Sequence, residues 1–357
     1  MKQHGALFAV FGAAFLAWHQ LTQRSAGWSS TLRQLALFFC GVSAPLVLTG
    51  VALRWAGVFD TFWFWTFTYA REYVLAVPLS AGIHVLASVF PRVVGPNLAI
   101  WAIACLGLLL MWWRRRDRVV AVFATGFLAF SFLAICPGFY FREHYFVLML
   151  PAIALLAGAA VGTTQRRWPA ASVLLYAMYG AGLAFAVMQQ GRLLFQMTPT
   201  EISRAMYGAN PFPEAMPIGG YIRAHSREDA RVAVLGSEPE ILFHAHRHSA
   251  TGHIYMYGLM ESQPFAASMQ KEFIRDVEAA KPEYVVLVTA RTSWLRHKTS
   301  PSELFDWWNA YGERLYRIVG LADIGSSSPT VFLWDDVGTY RPRSSSVVVV
   351  YKRTGTE

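Results

Sequence analysis

Up to about residue 190 the chain alternates long apolar runs with short polar breaks, and beyond residue 213 the apolar runs shorten to a few residues. Runs of about 20 residues, the length that carries a helix across a bilayer, fall at 5–21, 34–53, 96–113, 119–136, 145–163 and 169–188. Arg24 and Arg33 flank the first break. Arg114, Arg115, Arg116 and Arg118 fill the break between the third and fourth runs, and Gln165, Arg166 and Arg167 the break before the last. Trp28, Trp55, Trp112, Trp113 and Trp168 stand at run ends, where an indole ring prefers the headgroup layer. The segment 55–95 contains a further apolar run, Val74 to Phe90, with Pro78 and His84 inside it. Arginine-bearing breaks favour the cytoplasmic side. All three reach that side only if 55–95 stays on the outer face, as an interfacial or re-entrant element. The aromatic stretch Thr61 to Tyr69 suits that placement. Six spans plus one interfacial element are therefore expected. Met1 and everything after residue 195 then lie outside the cytoplasm, on a protein of the cell (inner) membrane. Residues 1–21 make a poor secretory signal, with Lys2 as the only early positive charge and no small-residue cleavage site after the apolar stretch.

The second half predicts a small extracytoplasmic α/β domain over 213–357, joined by a linker over 191–212 to a transmembrane helical domain over 1–190. Helices are expected at Pro213–Ala224, Glu238–Ala245, Phe265–Ala280 and Ser302–Tyr311, and strands at Val232–Gly236, Tyr284–Val288, Tyr316–Leu321, Thr330–Trp334 and Val347–Tyr351. Alternation at this spacing makes a partly parallel sheet, with the last two strands expected to pair as a hairpin.

Composition sharpens the division. Hydrophobic residues make up 55% and charged residues 15%, against roughly 25% charged in an average soluble domain, and the mean hydropathy is +0.34. These values exclude a disordered or disulfide-stapled chain. Residues 1–195 hold 14 Lys and Arg against 4 Asp and Glu, whereas residues 196–357 hold 17 against 18. The basic excess belongs to the membrane half and gives no reason to expect a nucleic-acid partner. Cys40, Cys105 and Cys136 all fall in or beside apolar runs. They read as small buried hydrophobes and leave no disulfide framework for the outer domain.

Four constellations carry candidate chemistry. The turn Leu235-Gly236-Ser237-Glu238-Pro239-Glu240 joins a strand to a helix, a place where anions bind. It lacks the further glycines of a phosphate fingerprint and reads better as a helix start with acidic residues in its first turn. His244, His246 and His248 alternate, and His253 follows. They would share one face on a strand, yet no carboxylate stands at a metal-ligand spacing, so they read as solvated histidines and no metal site is assigned. Arg71-Glu72-Tyr73 follows the aromatic belt on the outer face. Arg142-Glu143-His144-Tyr145 fills a short loop between two spans, at their outer mouth. Positive and hydrogen-bonding groups concentrated there suit a phosphate at the bilayer surface, and equally suit an arginine anchored at the interface beside its carboxylate.

At this loop the chain resembles a known family. Phe139-Tyr140-Phe141-Arg142-Glu143-His144-Tyr145-Phe146, running on to Leu150-Pro151-Ala152, is similar to the "R-x-HYF…LLP" segment of polytopic glycosyltransferases of the GT-C fold. The branch it looks like is the bacterial one related to protein mannosyltransferases and aminoarabinose transferases. Asn210 to Glu214, Tyr221-Ile222-Arg223 and Val234 to Ile241 resemble the start of that branch's outer domain. Gly12 to Gln20 looks like its mid-chain "G-x-A-x-L-x-K-Q" span, with His19 where lysine is usual. The order and spacing of these segments agree over essentially the whole chain.

The resemblance implies transfer of a sugar from a polyprenyl-phosphate donor to an acceptor on the extracytoplasmic face. It implies a lipid phosphate held by Arg142, His144 and Tyr145, with Arg71, Glu72 and Tyr73 as companions. The family's catalytic carboxylate lies in a first outer loop that has no counterpart here, so no residue is assigned a catalytic role. A portion preceding Met1, or a partner subunit, is expected to supply it. A divalent metal finds no support among these residues. The rival reading is a non-catalytic membrane protein whose outer domain binds a glycan or a partner.

Overall fold

The structure, a computed structural model, describes residues 3–22, 27–75, 77–113, 118–325 and 329–355. Arg24, Arg114, Arg115, Arg116 and Asp117, which the sequence places in two breaks, lie outside the described residues. The chain divides into two compact units, Met1–Leu194 and Phe195–Glu357.

The first unit is helical. Its elements are α1 (Ala6–Thr22), α2 (Trp28–Trp55), α3 (Phe59–Trp63), α4 (Tyr69–Leu75), α5 (Leu79–Val94), α6 (Leu98–Trp113), α7 (Arg118–Ile135), α8 (Leu150–Arg167), α9 (Pro169–Gln189) and the short α10 (Gly191–Phe195). Among the described residues five helical stretches are long and apolar enough to cross a membrane: Trp28–Trp55, Leu79–Trp113, Arg118–Ile135, Glu143–Arg166 and Pro169–Gln189. The run expected at 5–21 forms α1, which is shorter at 17 residues. The chain is a membrane protein. Residues 55–95, expected as a separate outer element, are largely helical. A π-helical turn, Phe64–Thr68, carries the aromatic belt between α3 and α4. Only the single 3-10 turn Gly95–Asn97 separates α5 from α6.

Close packing depends on small residues. A Cβ at Gly107 of α6 would overlap the backbone carbonyl of Leu156 on α8, and Ala104, Ala152 and Ala160 are fully buried nearby in sequence. In lipid, such close backbone approach is what holds helices together. Gly107→Ala is therefore expected to destabilise the bundle by about 1–3 kcal/mol, the usual cost of overpacking. Thermal unfolding in detergent checks it, and an unchanged midpoint would refute it. Between α1 and α7 the contact is aromatic: Phe11 meets Phe123, Phe127 and Phe130 at centroid distances of 5.4, 6.0 and 5.5 Å. Gln20 of α1 donates to Gln34 of α2 at 2.5 Å. Cys40 and Cys105 stand exposed on their helices and Cys136 is half-buried. The expectation that all three are buried is thus corrected. Where lipid is the surroundings, the outer face of a helix suits a thiol as well as the core does.

The second unit is a mixed α/β layer: α11 (Pro199–Tyr207), α12 (Phe212–Ala224), β1 (Arg231–Leu235), α13 (Glu240–Ala245), β2 (His248–Ser249), α14 (Tyr257–Met260), α15 (Ala266–Ala280), β3 (Tyr284–Val288), α16 (Arg291–Trp294), α17 (Glu303–Leu315), β4 (Tyr316–Asp323), β5 (Val331–Trp334) and β6 (Val347–Arg353). The sheet order is β2-β1-β3-β6-β4-β5. β1 runs parallel to β2 and β3, and the remaining pairs are antiparallel. Two expectations change. The last two strands do not pair with each other: β5 pairs with β4, and β6 lies between β3 and β4. The stretch 191–212 carries α10 and α11. Val232, Val234, Val286, Val288, Val348 and Val350 form one core with Ile218 and Ile222 of α12 and Ile241 of α13. Ala233 and Val285, which alternate with them, are also fully buried. Side chains alternate across a strand, so the sheet centre is covered on both faces.

Candidate functional site

The segment 136–142, joining α7 to the 3-10 turn Glu143–Met149, is conformationally unusual. Gly138, Phe139 and Phe141 all have positive φ, at 79, 53 and 39°. Glycine adopts this region freely; for a phenylalanine it is costly, on the order of 1–3 kcal/mol each. Packing holds the two rings in place. Phe139 lies against Gly82 of α5, where a Cβ would crowd it at 2.5 Å. Phe141 is buried in a cluster with Val89, Ile103, Tyr145, Phe146 and Met149.

The strained segment turns Tyr140 and Arg142 toward α4. Tyr73 stacks on Tyr140 at a centroid distance of 4.6 Å and an angle of 18°, and the Tyr140 hydroxyl donates to the Tyr73 carbonyl at 3.5 Å. The Arg142 guanidinium lies 5.7 Å from the centre of the Tyr140 ring, within cation–π reach. Tyr73 is hydrogen-bonded to Tyr145 through their side chains. Burial first, and that bond second, push the Tyr73 phenol up, while Arg142 pulls it down. It therefore stays a neutral donor at any physiological pH. His144 and His4 meet the Tyr145 ring edge-on at 4.7 and 5.6 Å. Beside them the Arg92 Nε lies 3.5 Å from the Glu143 carboxylate.

The structure thus brings Tyr73, Arg142, His144 and Tyr145 together. Arg71 and Glu72 share α4 with Tyr73, the first exposed and the second half-buried, and no ion pair among the described residues draws either toward Arg142. Sequence reasoning missed His4 and Arg92, because each is brought to the loop by another helix. The cluster is basic, aromatic and rich in hydrogen-bond donors, with Arg142 and His144 exposed. It can hold an anion through charge-assisted bonds.

The α/β unit holds a second polar group of interest, where β1 and β3 end side by side. Neighbouring parallel strand ends of this kind are common ligand positions in α/β sheets. Ser237 N donates to Ser293 Oγ at 2.8 Å, and Ser293 Oγ donates to Glu238 Oε2 at 2.7 Å. Met256 N donates to Ser237 Oγ at 3.0 Å. Glu238 is buried and its carboxyl is pushed up to about 7, chiefly by desolvation, with the charge of Glu240 adding to the effect. Trp294 is buried beside them and donates to the Val288 carbonyl at 2.7 Å. The turn is a packed network built around the Glu238 carboxyl.

The histidines do not line one face. His244 lies in the last turn of α13, His246 is its left-handed cap with φ 52°, and His248 is in β2. His253 is buried and lies 3.3 Å from Glu272. Among the described residues no group of three His, Cys, Asp or Glu side chains is placed to hold a metal ion. No family model matches the chain, and no curated protein matches it.

Proposed function

We propose that the cluster around Arg142 binds the phosphate of a polyprenyl-linked sugar, and that the chain serves a membrane glycosyltransferase working on the extracytoplasmic face. The observation that carries this reading is the strained segment 138–142. Two phenylalanines with positive φ are held so that a guanidinium, a phenol pair and an imidazole converge at the mouth of two membrane-length helices. Backbone strain is retained where an arrangement of side chains is worth its cost. A bilayer-embedded chain with a basic, aromatic mouth suits a ligand that is an anion on a long apolar tail.

The finer topology belongs to the same proposal: six crossings, the cluster at the outer surface, and the α/β unit outside the cytoplasm. Arg142 supplies charge, Tyr145 and Tyr73 supply hydroxyl donors, and His144 sits at the exposed rim.

The test is binding of a polyprenyl phosphate to the full chain in nanodiscs. Losing a charge-assisted contact of about 1.5–3 kcal/mol in Arg142→Ala should weaken binding at least about tenfold, with Arg142→Lys intermediate. A polyprenol control, which lacks the phosphate, should be insensitive to either change. Equal phosphate binding by wild type and Arg142→Ala would overturn the reading and favour a membrane-anchored binding protein.

A further inference from the structure

We propose that the α/β unit carries a face that docks onto an anionic bilayer surface, centred on Phe212 and Met216 of α12 and Phe243 of α13. The sequence of α12, FPEAMPIGGYIRA, is apolar almost all round. Ala215, Ile218, Gly219 and Ile222 face the core, whereas Phe212, Met216, Pro217 and Gly220 face outward. A helix in a water-facing layer normally puts charge on its outer side. Here the two charged residues are Glu214, which is buried, and Arg223 in the last turn. Met216 is 65% exposed. The patch continues on both sides. Tyr207 meets Phe212 edge-on at 5.1 Å. α13 crosses α12 at Gly219, where a Cβ would crowd His244 and Ala245, and the adjacent Phe243 is 73% exposed.

One end of this face is basic. Arg247 Nη2 donates to the Arg223 carbonyl at 3.1 Å, which sets two guanidiniums at the end of α12. His246 is exposed beside them and stacks on Phe243 at 6.3 Å. The carboxylate of α13, Glu240, is half-buried, and desolvation drives it toward its neutral form. An apolar centre with a cationic rim matches acyl chains beneath anionic headgroups. Chain continuity supplies the surface. The last membrane-length helix ends at Gln189, and exposed apolar residues follow it at Leu194, Phe195, Met206 and Tyr207. This assignment holds whatever the Arg142 cluster binds.

The test uses the full chain, with its three cysteines replaced by alanine, in nanodiscs of mixed neutral and anionic phospholipid. Spin labels are placed by Met216→Cys, Phe243→Cys and, as a control on exposed α17, Glu313→Cys. Labels at 216 and 243 should collide with dissolved oxygen in preference to a water-soluble nickel chelate, and the label at 313 should show the reverse order. In Arg223→Glu the label at 243 should shift toward the nickel chelate while the sheet's amide protection stays unchanged. Nickel-accessible labels at both 216 and 243 would overturn the proposal. Protection that comes with spin–spin broadening, and disappears on dilution with unlabelled chain, would overturn it in favour of a second copy.

Discussion

Arg204→Met should lower the stability of the α/β unit by about 3–5 kcal/mol, the usual cost of stripping one partner from a buried ion pair. Arg204 on α11 pairs with Glu214 on α12, and their side chains are 18% and 3% exposed. The guanidinium also donates to the Asn210 carbonyl at 2.9 Å and to Thr330 Oγ1 at 3.2 Å. Thr330 in turn donates to the same Glu214 oxygen. The other oxygen, Oε2, is buried with no hydrogen-bond partner among the described residues. With Arg204 gone, Glu214 keeps one hydroxyl donor for a full negative charge. The double change Arg204→Met with Glu214→Met removes charge and counter-charge together and should recover most of the loss. Amide exchange at β1 and β3 under denaturant, in the full chain, reads both. Equal loss in the single and double variants would mean that the pair contributes packing alone.

This pair shows where sequence reading ends. Glu214 stands in the first turn of a helix and reads as a charge complementing the helix dipole; its burial is set by α11, which the composition of 191–212 disguised as linker. The signal was nonetheless present. Thr198 and Glu201 make a capping box, each side chain bonding the other's backbone N–H, and that spacing marks a helix start. The membrane-length helices were legible because apolar length alone decides them. So were the cores of β1 and β3, whose valine-rich runs are buried on both faces. The placement of β6 between β3 and β4 was not, since nothing local in Val347–Arg353 records its neighbours. β2, with two residues, is too short for any periodicity.

The candidate site was legible in part for the same reason. Arg142, His144 and Tyr145 are neighbours in sequence, so a motif finds them. Tyr73 and Arg92 reach the cluster only because α4 and α5 fold beside the loop. The positive φ of Phe139 and Phe141 contradicts residue preference outright and could not be read from residue types at all. Local preference fails here because tertiary packing overrides it, and such failures gather at functional sites.

The second large effect expected is on pH. Glu238 has a carboxyl raised from an ordinary 4.5 to about 7, mainly because it is buried at the end of β1. Below about pH 4.5 the group is protonated both folded and unfolded, and burying it costs no charge. Between there and pH 7 the unfolded chain loses the proton while the folded chain keeps it. Stability is therefore fully present at low pH and is lost as pH rises through the folded value. A shift of this size corresponds to about 3 kcal/mol, most of it lost between pH 5 and pH 8. Glu238→Gln keeps an uncharged group of similar shape against Ser293 and should abolish this component. The variant should match wild type at pH 5 and exceed it at pH 8 by about that amount. Taking the difference between the two proteins cancels every other titrating group that the substitution leaves alone. Parallel stability profiles for wild type and Glu238→Gln across pH 5–8 would show that Glu238 is ionised in the folded chain. The hydrogen bond from Ser293 Oγ would then offset the desolvation of a buried carboxylate, so that its ionisation costs folding nothing between pH 5 and pH 8.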